Sequence, residues 1–333
     1  MRWRARWSSR WPRVVPVLTL STFALASAGL PAQSRGPTRA AVLLTLPSGA
    51  RGLALGEAWS AVADDETVLF YNPAQLARVA GTSAGLSVER YVAATTLGAG
   101  AVATPFARGT LALGVQVLDY GSEEEVIPDA GLGGQAGVPT GARVSAQDVA
   151  FTAGYGAAVG AERRLRLGVA VKVARQHVAS VVGSTLAADL GAGYSLGAWD
   201  FSAAVQHLGA PLTLGAVRSP LPWTWRAGVA APALRAGPAA LRPMAELRQI
   251  NGGPATGVVG AEGTWRTGRA GPSLAVRAAL STLAPGDDRS PLTFGCGLAL
   301  GRLVVDYAYE SFDVLGGAMH RVGVRLAAPA RLR

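Results

Sequence analysis

The residues whose types and spacing could do chemistry lie in two short stretches near the front of the chain. The segment ADDETVLFYNPAQLA, residues 63–77, places the carboxylates of Asp64 and Asp65 ahead of the turn-forming triplet Asn72-Pro73-Ala74. Paired carboxylates can work as a general acid and a general base. The segment GTSAG, residues 81–85, matches the G-x-S-x-G pattern in which the serine is a nucleophile. These stretches raise the hypothesis of an acid–base or acyl-transfer site.

Neither stretch is accompanied by the context that its chemistry needs. Adjacent carboxylates rarely point at one site, so Asp64 and Asp65 are better interpreted as a helix C-terminal turn or a hydrogen-bonded contact. A nucleophilic serine needs a tight strand-to-helix turn with a histidine in reach. Here GTSAG continues into LSVERYVAATTLGAG, which has the pattern of a strand. The sequence therefore predicts no catalytic residues.

The other candidate residues lack the spacing of a metal or cofactor site. His177, His207 and His320 are isolated from one another, so we expect them at interfaces or strand ends and not as metal ligands. The segments GAGAVA (98–103) and GLGGQA (131–136) resemble dinucleotide fingerprints, but neither opens a helix after a strand. We expect a protein that is not an enzyme and needs no cofactor or metal.

The composition is apolar without long apolar runs. Half of the 333 residues are hydrophobic, 16% are charged and 43 are glycine. After the N-terminus no run approaches the roughly 18 consecutive apolar residues of a spanning helix. The net charge is +10, but five arginines lie in residues 1–32, and the other basic residues are scattered. We therefore expect no nucleic-acid partner, because such binding needs a clustered basic surface.

The first 32 residues have the pattern of an export signal. A basic stretch from Arg2 to Arg13 precedes an apolar stretch from Val14 to about Ala28, and small residues follow. This order predicts a signal peptide with cleavage after Ala28 or Ala32. A single cysteine, Cys296, excludes an internal disulfide.

From Gly81 onward, apolar residues alternate with small or polar ones. In LRLGVAVKVA (165–174) leucine and valine occupy the odd positions, and glycine, alanine, arginine and lysine the even ones. Such alternation is typical of a sheet that is wetted on one side. Similar segments begin near Thr82, Val92, Gly109, Ala146, Leu165, Ser184, Phe201, Trp223, Ala240, Thr256, Gly271, Pro291, Leu303 and Met319. An exported, even-stranded sheet with one apolar face predicts an all-β fold, a closed transmembrane antiparallel β-barrel of about 14 strands.

The connections between these strands alternate in length. Those after even strands are mostly short, whereas three after odd strands are long: Gly121–Ser145, Gly209–Pro222 and Ala284–Ser290. Outer-membrane barrels have short periplasmic turns and longer outward loops. The SEEE run, residues 122–125, falls in the longest of these predicted loops. We expect a solvated loop there, with contact to divalent cations or lipopolysaccharide as the alternative.

The face opposite the apolar one carries small residues and several charges. A barrel in lipid directs this face toward its lumen. The candidate luminal polar residues are Arg166, Lys172, Asp306, Glu310, Arg321 and Arg325. Charges at these positions disfavour an apolar conduit.

Residues 49–80 break the period of two. LALGEAWSAVA (53–63) has helical spacing, TVLFY (67–71) is short and extended, and Asn72 can cap a helical turn that begins at Pro73. A unit of this size cannot bury its apolar side alone, so we expect it inside the barrel as a plug. The predicted organisation is a signal peptide (1–32), a plug segment (33–80), a barrel (81–326) and a tail (327–333).

The N-terminal segment also resembles a known family. GARGLALGEAWSAVADDETVLFYNPAQLA (49–77) looks like the N-terminal signature of the PorV/PorQ outer-membrane proteins, which belong to the wider FadL-like set of fourteen-stranded barrels. The likeness continues in LPWTWRAGVA and ends in VVDYAYESFDVLGGAMHRVGVRL. In that set an Asn-Pro-Ala motif marks the plug, which implies the same role for Asp64, Asp65, Asn72, Pro73 and Ala74. The chain departs from the family pattern at His207, where Asn is usual, and at Leu55.

The resemblance implies a non-enzymatic role in the outer membrane of a Gram-negative-type bacterium. It implies association with type IX secretion, in which such barrels bind exported cargo proteins or other secretion subunits. The alternative is a FadL-like channel for hydrophobic small molecules, gated by the plug. In both cases the expected partners include outer-membrane lipid and the barrel assembly machinery.

Overall fold

The structure is a computed structural model. It describes residues 39–62, 64–90, 95–129, 131, 133, 136–268, 271–283, 287–312 and 317–327. The predicted signal peptide (1–32) and nearly all of the predicted tail (327–333) lie outside these residues. None of the described helices is long and apolar enough to cross a membrane.

The chain from Ser83 onward forms strands almost throughout. The strands are β1 (Ser83–Arg90), β2 (Thr96–Phe106), β3 (Gly109–Pro128), β4 (Gly137–Val159), β5 (Leu165–Val178), β6 (Val181–Leu196), β7 (Trp199–Gly209), β8 (Leu212–Leu214), β9 (Val217–Ser219), β10 (Thr224–Ala230), β11 (Leu234–Ala236), β12 (Ala239–Ile250), β13 (Ala255–Arg266), β14 (Ser273–Ser281), β15 (Leu292–Leu300), β16 (Leu303–Phe312) and β17 (Gly317–Ala327).

These strands close into a barrel of fourteen antiparallel strands. Consecutive strands pair from β1 to β7 and from β12 to β17, β10 joins β7 to β12, and β1 pairs with β17 from Ser83↔Ala327 to Arg90↔His320, which closes the sheet. The short strand β11 continues β10 after a break, since both pair with β12. Strands β8 and β9 form a separate hairpin. The predicted fourteen-stranded barrel is therefore confirmed.

The outer wall is apolar and the inner wall is polar or small. Along β5 the odd residues are exposed, as at Val171 (61% exposed), whereas Lys172 beside it is 1% exposed. Leu186 and Val276 are exposed to a similar degree on other strands. In water such a surface would be unfavourable, so the exposed apolar wall belongs in lipid.

The connections distinguish the two ends of the barrel. The first strand begins and the last strand ends at one rim, which also has tight turns such as Ala107–Arg108 and Gly301–Arg302. The opposite rim carries the connections 210–223 and 282–291. We refer to the rim with the longer connections as the outward rim, following the usual geometry of such barrels. The connection between β5 and β6 is an exception, because it is a two-residue outward turn.

The predicted long loop Gly121–Ser145 is wrong. Strand β3 continues to Pro128 and β4 starts at Gly137, so the two form one hairpin of 20- and 23-residue strands. Glutamate and glycine have low strand propensity, which made SEEE resemble a loop. Pairing with the neighbouring strand overrides that local preference, because each strand satisfies the backbone groups of the other.

The N-terminal segment fills the lumen with four short helices. They are 3-10 helices at Val42–Thr45, Glu66–Phe70 and Pro73–Arg78, and one α-helix, α1 (Ala50–Ala54). Two predictions are corrected. The piece TVLFY is a 3-10 helix and not extended, and the predicted helix over 53–63 ends at Ala54. Both Gly56 (φ 59°) and Glu57 (φ 68°) have left-handed backbone conformations, which stop the helix.

The plug runs from the outward rim to the periplasmic rim. Ala40 donates its N–H to Pro220, in an outward connection, at 3.0 Å. At the other end, Arg78 pairs with Asp200 at the start of β7, 2.6 Å away. The plug therefore spans the lumen before the chain enters β1.

A matched pair of substitutions tests the lipid-facing assignment. Val171 lies in the middle of β5, whereas Val217, 63% exposed, lies in the small outward hairpin of β8 and β9. We expect Val171→Arg to lower the free energy of unfolding in lipid vesicles by about 2–4 kcal/mol. Val217→Arg should change it by less than about 0.5 kcal/mol, because that side chain stays in water. Equal losses in urea titrations of the two variants would contradict the assignment.

Candidate functional site

The plug–wall interface is the candidate functional site, and Asn72 is one of its central residues. Its Oδ1 accepts the N–H of Ala74 at 3.0 Å, which caps the helix that begins at Pro73. Its Nδ2 donates to the carbonyl of Ala192 on β6 (3.1 Å) and to that of Ser60 in the plug (3.3 Å). The side chain therefore caps one helix and ties it both to the rest of the plug and to the wall.

The wall facing this helix lacks side chains. A Cβ atom at Gly168 would collide with the backbone of Pro73 and Ala74, and one at Gly191 would collide with Oδ1 of Asn72. Glycine at these positions allows the plug backbone to lie directly on the wall backbone.

Asp64 and Asp65 form ion pairs and no carboxylate pair for catalysis. Asp65 caps the helix Glu66–Phe70, since its Oδ1 accepts the N–H of Thr67 at 3.0 Å. It is therefore an N-cap, which agrees with the predicted hydrogen-bonded contact and not with the alternative of a helix C-terminal turn. The Arg51 guanidinium lies 2.6 Å from Asp64 and 3.2 Å from Asp65, and it holds the pKa of the Asp64 carboxyl below its ordinary value.

Arg51 also binds the wall. Its Nε and Nη2 donate to the two carboxylate oxygens of Glu262 on β13, at 2.9 and 2.8 Å. Burial opposes the charge of Arg51, but the carboxylates of Asp64, Glu262 and Asp65 outweigh it and raise the pKa of Arg51. A two-pronged pair of this kind fixes orientation as well as charge. Arg51 is thus a bridge between the aspartates of the plug and the barrel.

A second ionic cluster holds the other side of the plug. Glu57 lies 3.1 Å from Arg226 and 2.5 Å from Arg248, which come from β10 and β12. Burial alone would raise the pKa of Glu57, but Arg248 and Arg226 outweigh it and lower the pKa to about 2. Glu246 pairs with the same Arg226 at 2.7 Å and accepts the N–H of Ser60.

The six predicted luminal residues lie inside the barrel, and five of them form ion pairs with residues of the plug or the wall. Arg321 pairs with Glu89 and donates to the carbonyl of Pro47 in the plug. Arg325 lies 3.5 Å from Asp65. Asp306 pairs with Arg277, the arginine that also binds Glu262. Arg325 and Asp306 belong to one ionic network with Arg51, whereas Arg321 and Glu89 form a separate pair.

The other predicted luminal residues lie apart from that network. Arg166 donates to Ser195 at 2.6 Å and lies 3.5 Å from Asp200, which also pairs with Arg78 of the plug. Glu310 lines a cavity of about 140 Å³ near the outward rim, together with Arg248 and Arg289. The structure therefore brings the six residues into separate clusters and not into one centre.

Lys172 forms a buried triad that the sequence did not predict. Its Nζ lies 2.7 Å from Asp189 on β6 and 3.1 Å from Nδ1 of His207 on β7. His207 is buried inside the barrel with a left-handed backbone (φ 61°), next to a register shift in the β6–β7 pairing. His177 and His320 lie near strand ends on the outer side. Among the described residues no group of three or more His, Cys, Asp or Glu side chains could hold a metal ion.

Ser83 of the GTSAG segment is the first residue of β1 and pairs with Ala327 and Ala103 on the neighbouring strands. A strand continues from it where the nucleophile pattern needs a helix. Its position agrees with the interpretation of GTSAG as a strand entry.

Glu66 is a buried acid between the plug and the wall of β1. A Cβ atom at Gly85 would collide with its Oε1, and within the described residues its Oε2 has no hydrogen-bond partner. Burial, together with the negative charge of Asp65, raises the pKa of Glu66 to about 7, although Arg325 opposes the shift. Glu66 is therefore the plug acid that titrates near neutral pH.

The cavities are small inside the barrel and large outside it. The cavity beside Glu66 has a volume of about 30 Å³, and the one beside Glu310 about 140 Å³. On the outer wall, an apolar recess of about 610 Å³ lies over β1, β2 and β3, and a second of about 520 Å³ lies over β11 to β14. The first recess and the Glu66 cavity share Gly85, Leu86, Gly100, Ala101 and Val324.

Solved structures share this architecture at low sequence identity. A FadL homologue from Pseudomonas aeruginosa is 11% identical, with 84% of this chain and 98% of that chain covered and a TM-score of 0.53. The toluene transporter TbuX from Ralstonia pickettii is 14% identical over 85% and 99%, with a TM-score of 0.54. The monoaromatic hydrocarbon channel CymD is 12% identical over 87% and 97%, with a TM-score of 0.55.

Sequence comparisons add nothing to these likenesses. No family model matches the chain, and no curated protein matches it. The structural likenesses show a fold of the FadL type. Together with the closed wall and its apolar outer face, this fold identifies an outer-membrane protein of a Gram-negative-type bacterium. The PorV/PorQ resemblance stays a prediction.

Substitutions of Asn72 separate its cap from its cross-links. We expect Asn72→Ala to destabilise the packed plug by about 1–3 kcal/mol, because a cap is lost and buried carbonyls lose their donor. Asn72→Asp keeps the cap acceptor but buries a carboxylate beside the carbonyl oxygens of Ser60 and Ala192, so it should destabilise the plug more than Asn72→Ala. Limited proteolysis of residues 39–80 measures this, with heat-modifiable gel mobility as the control that the wall has folded. Equal protection in all three proteins would contradict the cross-linking role.

The plug should loosen as the pH rises through the titration of Glu66. Glutamate in an unfolded segment ionises at about 4.3, whereas Glu66 in the packed plug stays protonated up to about 7. The packed state therefore binds more protons at Glu66, so the contribution of Glu66 to plug stability is full below about pH 4.3 and is lost as the pH rises to about 7. The rate of plug proteolysis in the wild type, divided by the rate in Glu66→Gln, should rise over this pH range. A ratio that stays constant would show that Glu66 does not control packing.

Proposed function

We propose that the protein is a non-enzymatic outer-membrane channel for small hydrophobic molecules, which the plug keeps closed. The observation that carries the proposal is the apolar recess on the outer wall over β1 to β3, backed directly by a cavity at the plug. Molecules that dissolve in lipid would collect in such a recess. The substrate reaches the lumen from the side of the wall, and the plug must shift to let it pass.

The wall is thin at this recess. Gly100 on β2 faces outward and Gly85 on β1 faces the plug, so neither contributes a side chain to the barrier. On the inner side, Glu66 and Phe70 of the plug line the cavity behind the wall. Only backbone separates the recess from these two plug residues. The ladder of backbone pairs is continuous here, so passage requires the strands and the plug to move.

The solved structures of similar fold agree with this proposal. Two of them are described as a toluene transporter and as a monoaromatic hydrocarbon channel. A fold shared at such identities does not carry a substrate with it. Monoaromatic hydrocarbons are therefore the substrate class to test first.

The two outer recesses provide a matched test. A Cβ at Gly100 would meet only ordinary contacts from 3.4 Å, and one at Gly263 from 3.8 Å, so both positions accept a leucine that fills its recess. We expect Gly100→Leu to reduce uptake of labelled toluene by expressing cells to the level of cells without the protein. Gly263→Leu should leave uptake unchanged, because no described cavity shares residues with that recess. Equal uptake by wild-type and protein-free cells would overturn the proposal.

A second candidate is a secretion-associated barrel that binds exported proteins and does not conduct. The observation that favours it is the filled lumen, where ion pairs hold the plug to β10, β12, β13 and β17. Its inner cavities are far below the roughly 300 Å³ of ordinary ligand sites. Retention of an exported protein on wild-type cells that show no toluene uptake would favour this candidate.

A further inference from the structure

Strands β3 and β4 extend beyond the barrel wall on the outward side. The last residue of β3 that pairs with β2 is Asp119, and the first residue of β4 that pairs with β5 is Ala146. Beyond them, Ser122–Pro128 and Gly137–Ser145 pair only with each other, and we call these two segments the arm. Seven residues of strand project by about 23 Å.

Both edges of the arm are open. Among the described strands none pairs with the outer edge of either segment, so alternate backbone N–H and C=O groups face solvent. A two-stranded hairpin of this kind is marginally stable alone. An open edge is also a template to which another chain can add as a strand.

The arm is acidic on an otherwise basic protein. Glu123, Glu124 and Glu125 are consecutive and at least partly exposed, and none forms an ion pair within the described part of the chain. Arg143 is the one basic residue between 119 and 146, and it donates to Ser122 instead. Glu125 accepts the hydroxyl of Thr140 at 2.9 Å, but the negative charges of the three glutamates are not paired within the described part of the chain and are available to an external positive charge.

Protection of the open edges against aggregation does not explain all the residues of the arm. Charged residues on an open edge discourage aggregation, which would account for the glutamates. The same segments also expose Val126 (57%), Ile127 (50%) and Val138 (44%) near the tip. Exposed apolar residues beside an open edge favour association with another chain. Acids next to apolar residues select a partner with the complementary pattern.

We propose that the arm binds an extended basic segment of an exported protein by strand addition. The backbone of the segment pairs with an open edge, its arginines or lysines face Glu123–Glu125, and its apolar residues cover Val126 and Ile127. A second copy of this chain is disfavoured, because its own arm would bring acid against acid. Phosphorylated lipid is disfavoured for the same reason. The proposal does not depend on whether the lumen conducts.

The test uses the full-length protein in detergent and a fluorescent ten-residue peptide that repeats the order Val-Val-Arg-Arg-Arg twice, because residues of an added strand lie beside their neighbours on the same face of the sheet. Fluorescence anisotropy should detect saturable binding. The triple variant Glu123→Gln, Glu124→Gln, Glu125→Gln should bind about tenfold more weakly, a change of about 1.4 kcal/mol. A peptide of equal charge with prolines at alternate valines should bind as weakly, because proline cannot donate to the edge.

The control variant is Glu162→Gln, in a periplasmic turn where Glu162 pairs with Arg164. It should leave peptide binding unchanged. If the proline peptide bound with the same affinity as the peptide without proline, binding would be explained by diffuse charge attraction. That result would overturn strand addition. Unchanged binding by the triple variant would overturn the role of the acids. Toluene uptake measured on the same triple variant should be normal, so that failure here is distinct from failure of the channel proposal.

Discussion

The structure depends on one constraint, which is that a sheet in lipid has no water to pair its backbone. Each N–H and C=O must therefore find a partner inside the sheet, and only closure achieves this for strands. The pairing of β1 with β17 meets the constraint, and it brings residues from opposite ends of the barrel segment into contact. Closure also creates an interior whose small and polar face must be filled, and the N-terminal segment fills it.

Burying charges in that interior is costly unless each one is compensated. The plug and the wall compensate their buried charges jointly, because neither carries a balanced set of charges by itself. Arg51 of the plug joins Asp64 and Asp65 to Glu262 of the wall, and Glu57 of the plug neutralises part of the charge of Arg226 and Arg248. Removing the plug would leave several wall charges unpaired. The plug is therefore part of the electrostatic balance of the barrel, and any opening motion must exchange these partners for water or a ligand.

Local sequence patterns predicted the fold well and the interior poorly. The alternation around Val171 and Lys172 predicted which face of β5 meets lipid, and Asn72-Pro73 predicted a capped helix, because both features act over a few residues. Arg51 and Glu262 are 211 residues apart, and the triad of Lys172, Asp189 and His207 depends on a register shift between β6 and β7. Such contacts depend on the register in which the strands pair, and a single sequence does not show that register. The β3–β4 hairpin was missed because strand pairing overrode weak local propensity.

The polar lumen does not by itself decide between a conduit and a filled barrel. If the plug is ignored, inward charges such as Arg321 suggest a water-filled lumen. Here, however, Arg321 is buried against Glu89 and the carbonyl of Pro47. The thin part of the wall lies elsewhere, where Gly100 and Gly85 leave only backbone between an apolar recess and Glu66. A hydrophobic molecule that crosses there meets Glu66, and it also meets charges of the main network, because Arg51, Asp65, Asp306 and Arg325 line the same cavity. Because Glu66 has an unpartnered oxygen, its displacement costs fewer interactions than that of Arg51 or Glu57. Glu66, a more replaceable plug contact than Arg51 or Glu57, thus faces a thin part of the wall.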